Sequence, residues 1–340
     1  MSRLTKYSVT ARTMKRDSPR ISICIPAYNA ERYIHTTIES CLQQTLLPFE
    51  ILLSDDGSSD CTPQILQGYC DQPSVKIVSP SQRLGIGAHY RHLAMVASGT
   101  HLVILSCDDA LHPDFIQTAT QVLMKTSDLG MVAFSGYLCN ANMRPQSRFG
   151  MSYPRQIFSS PAGFNHFAKS CTYLISFTVW QSQIIKALPP LPDSAGLTTD
   201  WYWALATGLQ SPVQLSHKPL GYYRYHDKNA SHSDYDRWIQ HASAMLKFML
   251  ECYPLDSEAR HKIKSAAQRI TGIDISLPDI AVRELVKSSR SLADKDFRAE
   301  PVPNSTENRY KSLLIPKSAI RKVIKSWHAN IFSHHPNFLR

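Results

Sequence analysis

No stretch of this 340-residue chain approaches the roughly 18 consecutive apolar residues that read as a membrane span. The longest apolar runs, around His101 to Cys107 and Ile175 to Trp180, are strand-length. The first 20 residues also lack the apolar core of a secretory signal. They are basic and polar, with a first acid at Asp17. This start weakly resembles a transit peptide, and the preferred expectation for residues 1–20 is a basic, disordered tail. The eight cysteines include no C-x-x-C pair, and Cys24 sits inside the apolar run Ile21–Pro26. That argues against a zinc cluster or disulfide frame and for reduced, buried thiols in a cytosolic protein. No internal repeat is evident.

What the chain does have is an ordinary globular composition, 43% hydrophobic and 19% charged, and a length that predicts about two domains. Its formal charge of +10 is uneven, because Ala281 to Arg340 carries twelve Lys/Arg against five Asp/Glu. A basic tail invites a nucleic-acid reading, which would show as salt-sensitive binding. The remainder of the chain has too small an excess to extend that reading.

The N-terminal half alternates strand and helix signals. Strands are expected at Ile21–Pro26, Phe49–Ser54, Val75–Val78 and His101–Ser106. Helices are expected over Ala30–Gln44, Asp60–Tyr69, Gly85–Ala97 and from Pro113 to about Lys125. This rhythm predicts an α/β fold with a mostly parallel sheet covered by helices on both faces. Ligands of such sheets collect beyond the carboxyl ends of the strands. After residue 127 the pattern is mixed, with short strands at Met131–Phe134 and Ser176–Trp180, a helix near Thr199–Gly208 and an extended segment over Lys218–His226. After Asp236 it turns helical.

Polar groups follow three of the predicted strands. Tyr28 and Asn29 follow the first, and a tyrosine at a ligand-facing rim can stack on a base. Asp55-Asp56-Gly57-Ser58-Ser59-Asp60 follows the second. Its carboxylates suit a base or ribose, and Asp60 is a candidate N-cap; a plain strand-to-helix turn is the competing reading. Ser106-Cys107-Asp108-Asp109 follows the fourth. Two acids after an apolar strand are costly unless they face solvent or a cation such as Mg²⁺ or Mn²⁺.

Together with Leu84-Gly85-Ile86 and Ala97-Ser98-Gly99, these elements resemble the family 2 glycosyltransferases, in the family's order and spacing over about residues 21 to 126. A weaker match continues through Thr198-Thr199-Asp200 and Tyr223 to Ser231. The resemblance implies a GT-A fold, a nucleotide-sugar donor, a divalent metal and an inverting displacement. It implies a donor site of Pro26, Tyr28, Asn29, Asp56, Arg83, Gly85 and Asp108, with Tyr28 packed on the base, Asp56 hydrogen-bonded to it and Asp108 near the ribose. Asp109 would ligate the metal, with His226 beside the diphosphate as a second ligand. Asp200 would be the acceptor-activating base. There are departures: Arg83 stands where the family has Asn, Tyr90-Arg91 replaces an Arg-Asn pair, and Thr-Thr-Asp replaces the commoner acidic pair at the base. Trp201, Trp203 and Tyr173 could form a stacking platform for the acceptor, although aromatics at this spacing more often fill a core.

The expected domain plan is a GT-A domain over 21–235, divided into a donor half 21–126 and an acceptor half 127–235, followed by a basic helical extension over 236–340. Within the extension, Ile320, Val323, Ile324, Trp327 and Ile331 share a helical face opposite Lys317, Arg321, Lys322 and Lys325. Such a helix suits an anionic membrane or packs on the catalytic domain. The expected setting is cytoplasmic, peripheral to the membrane, with UDP as the preferred nucleotide, a glycan or lipid-linked acceptor and no nucleic-acid partner. The alternatives are a non-catalytic sugar-nucleotide or glycan-binding module, a nucleic-acid-binding protein and a nucleotidyltransferase releasing pyrophosphate.

Overall fold

A computed structural model of the chain describes residues 18–150, 156–169, 172–227, 229 and 235–271. The segment Lys317–Phe332 and most of the basic N-terminal tail lie outside the described residues.

Ten strands form one sheet among the described residues, flanked by helices. Strands β1 (Ile21–Ala27), β2 (Glu50–Asp55), β3 (Val75–Ile77) and β4 (His101–Ile104) alternate with helices α1 (Ile34–Leu42), α2 (Thr62–Gln67) and α3 (Ile86–Val96). Their order β3-β2-β1-β4 is parallel throughout. Strand β5 (Ala110–Leu111), α4 (Phe115–Lys125), β6 (Met131–Cys139), β7 (Pro145–Phe149), β8 (Ile157–Phe158) and α5 (Ala162–Lys169) follow. The chain then forms β9 (Thr178–Gln181), α6 (Ser182–Ala187), α7 (Thr199–Gln210), β10 (Val213–Arg224), α8 (Tyr235–Cys252) and α9 (Ser257–Thr271).

Strand β9 joins β4 to β6 by antiparallel pairing, β10 runs parallel to β6, and β5 closes the edge antiparallel to β10. The ladder of β10 shifts register on both sides of Pro219, as expected of a residue with no N–H to donate. Its far end pairs Gly221 with Leu111 and Tyr222 with Ala110. That pairing carries Arg224 back beside the acids that follow β4.

β1 is buried along its whole length because both faces of it are covered. Ile21, Ile23 and Ile25 join the apolar cluster under α1, α2 and α4, while Cys24 joins the cluster on the other face, under α3 and α5 to α9. This is strand alternation applied to a two-sided core. Met245, Leu246, Met249 and Ile263 of α8 and α9 belong to the same cluster as Trp201 and Trp203 of α7. One face each of α8 and α9 is therefore packed into the core.

Several boundaries differ from expectation. Helix α1 starts at Ile34, leaving Tyr33 as its N-cap position at the sheet's ligand-facing edge. The N-cap of α2 is Cys61, although Asp60 still accepts the Thr62 N–H at 2.9 Å. Among the seven described cysteines, all free, Cys61, Cys70 and Cys252 are exposed, so burial holds for only some of the thiols. No helix among the described residues is long and apolar enough to cross a membrane.

Candidate active site

The loops after β1 and β2 are clipped together by short side chains. Asn29, at φ 50°, accepts the Ser59 N–H at 2.9 Å and donates its own N–H to Ser58 Oγ at 2.8 Å. The Asp55 carboxylate accepts the N–H groups of Gly57 and Ser58 at 3.1 and 3.0 Å, an Asx-type turn. Asp56 is 3% exposed. Its two oxygens take the N–H groups of Leu84 at 2.7 Å and Gly85 at 2.8 Å. It thereby fixes the loop entering α3, where Gly85 occupies φ 80°, a region that glycine enters freely. Pro26 lies within β1 and contributes no donor. Tyr28 is 42% exposed at the rim, with the Arg83 guanidinium 4.1 Å from its ring centroid, a cation–π pair. The Ala97-Ser98-Gly99 element lies elsewhere: Ser98 N and Gly99 N donate to Glu50 Oε1 and Ser22 Oγ at 2.6 and 2.9 Å, at the amino ends of β1 and β2.

The structure separates the two acids after β4. Asp109 is 1% exposed, and its carboxylate accepts Ser176 Oγ at 2.6 Å and the Arg224 N–H at 3.0 Å. Burial, then the neighbouring Asp108 charge, pushes its pKa well above the usual range, against the hydrogen bonds from Ser176 and Arg224. Asp108 instead lies 3.0 Å from His226 Nε2 and accepts Asn229 Nδ2 at 3.2 Å. Of the two acids, it is Asp108 that meets His226, while Asp109, expected at the metal beside His226, is buried against Ser176 and the Arg224 backbone. No group of three or more His, Cys, Asp or Glu able to hold a metal occurs among the described residues. One carboxylate and one imidazole nitrogen fit a divalent ion only if a ligand such as a diphosphate completes its shell.

Arg224 is the girder of this corner. Its Nε donates to the Asp108 carbonyl and its Nη1 to the Ala141 carbonyl, both at 2.7 Å, while its guanidinium lies 4.5 Å from the Tyr33 centroid. Its buried Nη2 has no hydrogen-bond partner among the described residues. Tyr33 also stacks, tilted, on His226 at 4.7 Å. The sequence reading gave no role to Tyr33, which it counted inside a helix, or to Asn229, which it quoted only as part of a motif.

Asp200 occupies the first turn of α7. Its half-buried carboxylate accepts the Trp201 N–H at 2.7 Å. Burial pushes its pKa up to about 6, against the pull of backbone N–H groups. The expected acceptor platform is not formed. Trp201, Trp203 and Tyr173 are all buried, since α7 is enclosed by α5, α8 and the sheet. Trp201 Nε1 donates to the Phe167 carbonyl at 2.9 Å, and Trp203 packs edge-on to Trp180. Tyr173 Oη donates to the Asp200 carbonyl at 2.6 Å, so it positions Asp200 from behind. Helix α3 sets the width of the cleft. A Cβ on Gly87 would come within 2.6 Å of Gly196 Cα and 2.7 Å of Thr199 Oγ1, so only glycine permits this approach.

Residues 22–180 match the family model described as Glycosyl transferase family 2. The chain is 35% identical to the Escherichia coli chondroitin synthase over 139 residues, covering 41% of this chain and 19% of that protein. It is 33% identical to the Pasteurella multocida hyaluronan synthase over 128 residues, covering 37% and 13%. The chain therefore spans less than a fifth of either synthase. Among solved structures, S. aureus TarS 1–349 in complex with UDP-GlcNAc superposes with a TM-score of 0.58 at 14% identity, covering 92% of this chain and 81% of that one. The Pyrobaculum calidifontis mannosyltransferase PcManGT in complex with GDP-Man and Mn²⁺ gives 0.54 at 13%, covering 94% and 89%. At these identities the superpositions establish the shared fold.

Proposed function

Through residues 22–180 the chain belongs to the family 2 glycosyltransferases, and from that premise we propose that it transfers a sugar from a nucleoside diphosphate donor, UDP preferred, to an acceptor hydroxyl with inversion. The observation that carries the reading is the Asp108–His226 pair after β4, found together with an exposed Tyr28 after β1 and a half-buried Asp200 carboxylate whose pKa burial raises to about 6. A carboxylate of that pKa is ionised at neutral pH yet basic enough to take a proton from an attacking hydroxyl.

In this reading Tyr28 stacks on the base. Asp56 acts through the backbone, holding Leu84 and Gly85 in place, and Asn29 locks the two donor loops together. Asp108 and His226 would hold Mn²⁺ or Mg²⁺. Such an ion, when bound, neutralises charge on the departing diphosphate. Arg224, with one N–H group unpaired, adds positive charge to the same corner. Asp200 accepts the acceptor's proton on the opposite side, held by Tyr173 at its carbonyl and by the Trp201 N–H.

Two neighbours solved with UDP-GlcNAc and with GDP-Man and Mn²⁺ support the donor class. The synthases of two polysaccharides among the relatives support a glycan or lipid-linked acceptor in surface polysaccharide or glycolipid assembly. Peripheral contact with an anionic membrane through Lys317–Phe332 rests on the sequence pattern alone.

Calorimetric titration of UDP with Mn²⁺, and again with excess chelator, tests the donor site. Metal-dependent binding is the expected result. Failure of UDP, GDP and dTDP alike would overturn the assignment, and nucleotide binding without turnover of any UDP-sugar would leave a binding module.

A further inference from the structure

Tyr90 stands on α3 three residues after Gly87, and so on the same face of the helix. The contact of Gly87 with Gly196 and Thr199 aims that face at the start of α7, where Asp200 sits. The side chain is partly buried, packed against the cluster that holds Trp180, Trp201 and Trp203. Its hydroxyl makes no hydrogen bond among the described residues. Burial raises its pKa first, and the charges that raise it further are those of Asp200, Cys107, Asp108 and Asp109. The phenol is therefore neutral and able to donate. The charges around it include those of Asp200, Asp108 and Asp109.

A partly buried hydroxyl without a protein partner can pair with a ligand as well as with water. The site between a diphosphate held at Asp108 and a base at Asp200 is where the transferred sugar must lie, and sugar hydroxyls are partners for a phenol. We propose that the Tyr90 hydroxyl hydrogen-bonds the transferred sugar and selects between epimeric donors, an inference that rests on the glycosyl-transfer reading.

The test titrates UDP, UDP-GlcNAc and UDP-GalNAc into the wild type and Tyr90→Phe in the presence of Mn²⁺, with kcat/KM measured for both sugars. The variant preserves ring packing, so UDP affinity should stay within about twofold. The preferred sugar should weaken by about 3- to 10-fold, the loss of one hydrogen bond, and the ratio between epimers should fall toward one. An unchanged ratio in the variant, or a wild type that does not distinguish the epimers, overturns the inference and leaves the donor-site reading standing. A wild type that binds no nucleotide overturns both.

Discussion

Residues 21–126 and the described residues of 127–271 hold their polar groups by different means. In the first half the groups follow directly on parallel strands and are fixed by nearby loops, as Asp55 is by Gly57 and Ser58 and Asp56 by Leu84 and Gly85. In the second half the chain reaches far back along the sequence. Ser176 meets Asp109 across 67 residues, and Asn229 meets Asp108 across 121. The first half joins the loops after β1 and β2 to their partners over 30 and 28 residues, as Asn29 to Ser59 and Asp56 to Leu84. The second is a seam whose members depend on one another.

The largest expected effect falls on Asp200, the proposed base. Asp200→Asn should lower kcat by ~10²–10⁴-fold while UDP affinity stays within about twofold. In the wild type, kcat should fall as pH drops below about 6, the value for Asp200, and the variant's residual rate should lack that limb. The sign for stability is opposite. A carboxyl raised by burial makes the folded state bind more protons between about 4 and 6, so stability falls as pH rises through that window. Asp200→Asn removes the penalty and should melt no lower than the wild type at pH 8, with a gain on the order of 1 kcal/mol after solvent screening. Loss of turnover through unfolding, seen in a thermal melt, would break the comparison.

A pair of neighbouring substitutions sharpens it. Asp108→Ala should remove the chelator-sensitive part of UDP affinity, at least the ~10–100-fold that a lost outer-shell partner costs. Asp109→Ala should act mainly on stability, by about 1–3 kcal/mol, because it strands the Arg224 N–H. Titration and melting of both variants decide the matter; the reverse pattern would restore Asp109 as the ligand. A smaller effect is expected at the contact between the halves. Gly87→Ala forces α3 away from Gly196, and about tenfold of kcat should be lost through misplacement of Asp200, with UDP affinity little changed.

The first half was legible because its strand and turn signals are local. An apolar run ends, and the polar residues of the next turn must lie at the strand's carboxyl end, as Tyr28, Asp56 and Asp108 do. What the sequence concealed depends on partners far away. Which of two adjacent acids faces the cleft is set by β10, whose Arg224 arrives 115 residues after Asp109. Tyr33 was hidden by a helix boundary misplaced by four residues, and boundaries depend on capping details that periodicity does not carry. The spacing of Trp201 and Trp203 favours core over platform, and α5 and α8 packed on α7 decide for core.

The pairing of β10 with β5 and β6 has a consequence for how the cleft comes into being. A growing chain completes β1 to β4 and both acid pairs early. The strand that pins them is the last of the sheet to be synthesised, and closing so long a loop makes non-local pairing a slow event in folding. The matched segment 22–180 ends before β10, so excision of that segment would leave Asp109 without the backbone N–H that it accepts. A donor that recognises only the closed cleft would then protect the whole chain against unfolding, including α8 and α9, because binding to the native state alone stabilises every element on which that state depends.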